Sequence, residues 1–158
     1  MADRKKVYVE ASVVSNLTSR LSKNVQDLAR QLSTRDWWES RRIDFDLYYS
    51  AVVEREISRG DADAAAKRRE ALVGLTKLAV TPQMESLAEV LLEKTAVPRN
   101  SFDDAMHIAV ATVNKMDYLL TWNCTHIANA ATMPIIYRVC KEAGYECPVL
   151  CTPDQLMT

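Results

Sequence analysis

The apolar residues of this chain fall into short runs, each followed by a stretch in which they recur at helical spacing. Val7-Tyr8-Val9-Glu10 is a β-prone run that ends on an acid, and Ala11 to Leu17 then reads as a helix. From Val25 to Arg42 a long helix fits, with Val25, Leu28, Ala29 and Leu32 at helical spacing and Trp37-Trp38 near its end, a pair suited to core packing and a subunit contact. Ile43 to Tyr49 predicts a second strand, alternating Asp44, Asp46 and Tyr48 with Phe45, Leu47 and Tyr49. A short helix over Ser50 to Ser58 and an alanine- and charge-rich one over Asp61 to Gly74 follow. Leu78-Ala79-Val80-Thr81 reads as a buried strand, and Pro82 suits the first turn of a helix running to about Lys94.

Beyond Pro98 the sequence from Ser101 to Val113 is almost wholly apolar or small, as in a helix packed on most sides. Ser101 is its expected N-cap, and Asp103 and Asp104 stand in its first turn, where the helix dipole favours negative charge. Asp117 to Asn123 is the clearest strand of all, with Cys124 to Asn129 opening another helical stretch. The pattern stays helical after Pro134 to about Gly144, Cys147 to Thr152 makes a last strand, and Pro153 to Leu156 makes a turn. This alternation argues for an α/β fold: a mostly parallel sheet of about five strands with helices on both faces. A length of 158 residues suits one domain spanning 1–158.

Charge and cysteine usage trim the possible functions. A formal net charge of -1 gives no bulk attraction to nucleic acid, so such binding needs a local basic patch. Arg41-Arg42 and Lys67-Arg68-Arg69 are the candidate stretches, each of which also suits a solvated helix face. The start from Met1 to Lys6 has too short an apolar continuation for a signal peptide, and no later run approaches a membrane span, so a cytoplasmic protein is expected. Cys124, Cys140, Cys147 and Cys151 form no C-x-x-C pair, and His107 and His126 complete no zinc pattern, which leaves reduced thiols. With 3 glycines there is no glycine-rich phosphate loop.

The acids carry the remaining signal. Glu10 and Asn123 follow strands at the carboxyl edge, where open parallel sheets place their sites. Val52, Val53 and Ile57 define the apolar face of their helix, and at 100° per residue Glu56 falls on that face while Glu54 points away. An acid on a core-facing stripe is a local inconsistency of the kind found at functional positions. Asp104 opens the long apolar helix. Gathered together, these groups would form a negative pocket of oxygen donors suited to Mg²⁺ or Mn²⁺. The plain alternative is an α/β domain whose acids serve as caps and surface charge.

The segments Val9 to Val14, Ser50 to Ile57, Asp104 to Ala109 and Leu119 to Asn123 resemble, in order, the four motifs of the PIN-domain family, and within it the VapC-type toxins of type II toxin–antitoxin systems. The resemblance implies a three-layer α/β/α domain and a metal-dependent ribonuclease that hydrolyses RNA with Mg²⁺ or Mn²⁺. It also implies a homodimer and a cognate antitoxin. Carried over by position, the metal-binding and catalytic residues are Glu10, Glu56, Asp104 and Asn123, with Ser12 and Thr121 orienting them. Arg41 and Arg42 are candidate RNA contacts, and His107 is expected to be a hydrogen-bonded structural histidine; His126 has no assigned role. Two positions depart from the pattern: Glu10 stands where Asp is usual and Ala11 where a hydroxyl residue is common. One extra methylene moves a carboxylate by about 1.5 Å, a misplacement on the scale that can cost ~100-fold in rate. The alternative is therefore a PIN fold impaired in catalysis that binds RNA or a protein.

Overall fold

A computed structural model describes residues 3–158; Met1 and Ala2, which open the basic start read above, lie outside the described residues. The elements run β1 (Lys5–Val9), α1 (Ala11–Thr18), α2 (Val25–Ser40), β2 (Phe45–Ser50), α3 (Ala51–Ile57), α4 (Ala62–Ala71), β3 (Thr76–Leu78), α5 (Pro82–Glu93), α6 (Phe102–Val113), β4 (Tyr118–Leu120), α7 (Met133–Glu142) and β5 (Val149–Cys151). Short 3-10 turns cover Arg42–Asp44 and Pro153–Leu156.

The five strands pair in the order β3-β2-β1-β4-β5, and every pair is parallel. Chain order leaves β1 towards β2 on one side and reaches β4 on the other, so the crevice between β1 and β4 is the topological switch point of the sheet. Val7, Tyr8 and Val9 are fully buried, as a central strand covered on both faces requires. Helices α1, α2 and α4 pack on one another, as do α5, α6 and α7, giving the expected three-layer α/β/α arrangement. Helix α6 is buried continuously from Ala105 to Thr112. No helix among the described residues is long and apolar enough to cross a membrane, and all four cysteines are free thiols.

Several sequence expectations are corrected. The third strand is Thr76–Leu78, ahead of the run Leu78 to Thr81, and it is an exposed edge strand instead of a buried one. Edge position explains this, since Lys77 can face solvent there and discourage further strand pairing. The stretch Cys124 to Asn129 is a turn and not a helix: the Asn123 carbonyl accepts from both Ile127 N–H at 3.2 Å and Ala128 N–H at 2.9 Å, and the coil stops there.

Helix α2 buries Gln31, Thr34 and Trp37, whereas Val25 and Leu32 of the expected apolar face are 81% and 50% exposed. Polar hooks decide which face turns inward. Gln31 donates to Ser19 Oγ and to the Arg20 carbonyl, both at 2.9 Å, and accepts from Ser22 N–H at 2.8 Å. The Trp37 indole N–H reaches the Leu156 carbonyl at 3.0 Å, and the ring stacks on Phe45. At α6 the Ser101 side chain makes no capping hydrogen bond to its helix.

Candidate active site

Glu10 leaves the buried end of β1 in an extended conformation and becomes the N-cap of α1. Its longer side chain folds back, so that Oε2 accepts from Ser12 N–H at 2.9 Å. Oε1 accepts from the hydroxyls of Ser12 and Thr121, each at 2.5 Å. The Ser12 oxygen in turn accepts from Trp122 N–H at 2.8 Å, and the Thr121 oxygen from Asn123 N–H at 2.9 Å. Each hydroxyl has one proton to give, so the backbone beyond β4 fixes both hydroxyls as donors to the carboxylate. Ser12 and Thr121 thus orient Glu10 from α1 and from the end of β4, across the switch point.

Glu56 lies near the end of α3, half-buried, with its carboxylate bonded to His107 Nε2. Glu54, one of the two acids weighed on this helix, instead meets the exposed Lys77 at 2.8 Å. His107 is fully buried on α6, and its Nδ1 is 2.7 Å from the Tyr8 hydroxyl, which is also 2.7 Å from Ser50 Oγ. Ser50 is the N-cap of α3, so the chain Ser50–Tyr8–His107–Glu56 ties β1 and α6 to both ends of α3. Both ring nitrogens of His107 are thus engaged in hydrogen bonds.

Burial alone would lower the His107 pKa. The hydrogen bond to Glu56 and the charges of Glu10, Glu56 and Asp104 outweigh it and leave the pKa raised. The phenol of Tyr8 is driven well above its ordinary value, chiefly by burial.

The two acids at the start of α6 go different ways, and neither caps its own helix. Asp103 points outwards to Arg55 at 2.6 Å and Arg59 at 3.8 Å. Asp104 points inwards and meets His126 Nδ1 at 2.7 Å, with Ser101 Oγ on the same nitrogen at 3.4 Å. Asp104 and His107 are three residues apart and share a helix face. The Asn123 side-chain oxygen accepts from His126 N–H at 3.0 Å and closes the turn that brings His126 over Asp104.

Among the described residues one group of potential ligands converges: an atom each from Glu10, Glu56 and His107 lie within 4.8 Å of one another. Asp104, three residues before His107 on the same helix face, is not one of the three: its carboxylate is bonded to His126. Two carboxylates this close repel one another, and a nearby positive charge relieves them. The donor set is dominated by oxygen and suits a hard divalent cation, with His107 behind Glu56 as the supporting partner typical of such sites.

Arg41 and Arg42 are not part of the cluster. They precede β2 at the amino end of the sheet, where Arg41 pairs with Asp44 at 2.8 Å and Arg42 stacks on Trp38. Because the strands are parallel, this end is opposite the carboxylates. Arg68 is also occupied, donating to the carbonyls of Ile57 and Arg59 at 2.8 and 2.7 Å. The sequence reading missed the Tyr8–His107 contact and the role of His126. Tyr8 sits in an apolar strand run, and only its polar tip in a buried setting signals a partner.

No protein-family model matches the sequence, and no curated protein matches it. Among solved structures, the fold is similar to that of the Mycobacterium tuberculosis toxin VapC20, described as cleaving the sarcin-ricin loop. The two share 18% identity with a TM-score of 0.57, over 76% of this chain and 92% of that one. It is also similar to a chain of VapBC2 from Rickettsia felis, solved bound to a DNA fragment from its promoter. That match has 11% identity and a TM-score of 0.59, over 93% of this chain and 98% of that one. At these identities the likeness speaks for the fold alone: a parallel α/β/α domain of the kind seen in those two structures.

Proposed function

We propose that this protein is a divalent-metal-dependent ribonuclease, active on RNA phosphodiester bonds. The observation that carries this reading is the convergence of Glu10 and Glu56 beside His107 within 4.8 Å, at the carboxyl end of a parallel sheet. In this reading Glu10, Glu56 and Asp104 hold Mg²⁺ or Mn²⁺, and Asn123 binds the ion or its water through its amide. When bound, such an ion supplies an activated water and neutralises charge developing on the phosphoryl group. Ser12 and Thr121 keep the Glu10 carboxylate aimed, and one carboxylate takes the proton of the attacking water. His107 steadies Glu56 from behind, and His126 steadies Asp104.

The test is cleavage of RNA by Glu56→Gln and Asp104→Asn proteins that retain the native fold. Loss of metal-dependent cleavage is expected in each, and undiminished cleavage in both would sink the reading. A second reading is favoured by one observation, the three hydrogen bonds that already occupy the Glu10 carboxylate. It describes a PIN fold impaired in catalysis that binds RNA or a protein, and RNA binding without cleavage under any divalent ion supports it.

The toxin-like fold further supports a cognate antitoxin as partner and a homodimer as the working form. Val25 and Leu32, exposed on α2, offer apolar surface for such contacts. Four free thiols suit the reducing cytoplasm.

A further inference from the structure

A cluster of carboxylates repels a phosphodiester until something nearby attracts it, and Arg30 stands where that attraction is needed. Its guanidinium carbon lies 5.5 Å from the centroid of the Trp122 ring, a cation–π distance. Trp122 is the residue between Thr121 and Asn123, so the platform beneath Arg30 belongs to the same strand end that holds Glu10. The platform is fixed at both ends. The Trp122 backbone N–H donates to Ser12 Oγ at 2.8 Å, and its indole N–H donates to Thr34 Oγ1 at 2.7 Å. The Thr34 hydroxyl donates to the Arg30 carbonyl one turn back at 2.6 Å, which ties the ring to the helix that carries Arg30.

Two other arginines near this end of the fold are engaged. Arg35 donates to the Ser19 carbonyl at 2.8 Å, and Arg55 meets Asp103 at 2.6 Å. Arg30, partly exposed, makes neither an ion pair nor a side-chain hydrogen bond among the described residues. It carries a planar fork of donors beside the Trp122 ring, of a shape matched to the paired oxygens of a phosphate. Arg30 contacts Trp122 and makes no ion pair with the carboxylates among the described residues, so it suits a neighbouring phosphate of the strand and not the one being cut.

We propose that Arg30, seated on Trp122, is a substrate-binding residue that holds a phosphate flanking the scissile bond. This rests on the ribonuclease reading given above. A backbone contact carries no base information, so its loss weakens binding alike for RNAs of different sequence.

The experiment is fluorescence anisotropy of short labelled single-stranded RNAs of two unrelated sequences, titrated with wild type, Arg30→Gln and Arg30→Lys across a range of salt in EDTA and in Mg²⁺. Arg30→Gln is expected to weaken binding of both RNAs by roughly three- to tenfold and to lower the salt slope by about 0.7, the value of one phosphate contact on a single strand. Arg30→Lys should keep most of that slope, because the charge remains. Steady-state cleavage by Arg30→Gln should show a raised KM with kcat little changed, the mark of lost ground-state binding. Wild-type affinity and slope in Arg30→Gln overturn the proposal while leaving the ribonuclease reading intact, as does a Lys variant whose slope falls as far as that of Gln. If wild type neither binds nor cuts RNA in any of these buffers, the ribonuclease reading fails and this proposal fails with it.

Discussion

His107 Nε2 is bonded to the Glu56 carboxylate while its Nδ1 is held by the Tyr8 hydroxyl at 2.7 Å, so a fully buried histidine joins the central strand to an acid of the candidate metal cluster. This arrangement fixes the ring plane and the direction of Glu56. Replacing Tyr8 with Phe removes the hydroxyl and leaves His107 Nδ1 and Ser50 Oγ without it. An unsatisfied buried polar group costs ~1–3 kcal/mol. Urea unfolding of Tyr8→Phe should show a loss in that range, together with weaker Mn²⁺ binding, whereas wild-type stability would show that the contact contributes nothing.

The raised pKa of His107 sets a pH dependence for the metal-free protein. A folded-state pKa above the unfolded one means that protonation stabilises the fold. That contribution is complete below the ordinary histidine pKa of about 6.5 and is lost as pH rises through the raised value. A cation among the carboxylates opposes the His107 charge, so Mn²⁺ binding should release a proton and tighten with rising pH. Thermal melts in EDTA and in Mn²⁺ across this window check both signs. A metal-induced shift that shrinks with rising pH would contradict the assignment.

Metal binding should also raise stability through linkage, by about 2.7 kcal/mol at a hundred times Kd. For a chain of this size that corresponds to a Tm rise of roughly 5–11 °C. Asp104→Asn is expected to lose most of the rise. An equal rise in the mutant would place the ion elsewhere.

Neighbouring acids on α6 should behave oppositely. Asp103 makes exposed ion pairs with Arg55 and Arg59, a class typically worth ~0–1 kcal/mol. Asp103→Asn should therefore change stability by no more than that and leave RNA cleavage near wild type, while Asp104→Asn abolishes cleavage. Equal activity losses in the two variants would mean that the inward and outward orientations do not govern function.

Restoring the more usual acid at the end of β1 should not help this chain. Glu10→Asp withdraws the carboxylate by about 1.5 Å from two hydroxyls now at 2.5 Å. Cleavage is expected to fall, by up to ~100-fold. A gain in activity would show that the hydroxyl network around Glu10 is dispensable.

The α/β class, the parallel sheet and the four motif segments were legible in the sequence because each depends on local information. A central strand reads as a continuous apolar run, as Val7 to Val9 does, and a buried helix as an unbroken apolar stretch, as α6 does. Helical geometry alone separated Glu56 from Glu54. Where long-range contacts outvote local pattern, the reading failed. Helix α2 turned Gln31 and Thr34 inwards because the loop before it and Trp122 supply their partners. Arg41 and Arg42 could be judged only once the parallel topology set them at the end opposite the carboxylates.

By itself, then, the sequence determined which residues could form strands, helices and a set of oxygen donors, since propensity, capping and face periodicity act over a few residues. Only the tertiary structure decided that Glu10 would fold back onto Ser12 and Thr121, that Tyr8 would hold His107 against Glu56, and that Asp104 would meet His126. Those contacts span up to 111 positions of chain. No local pattern carries such distances; they exist because a parallel sheet brings the carboxyl ends of distant strands to one edge.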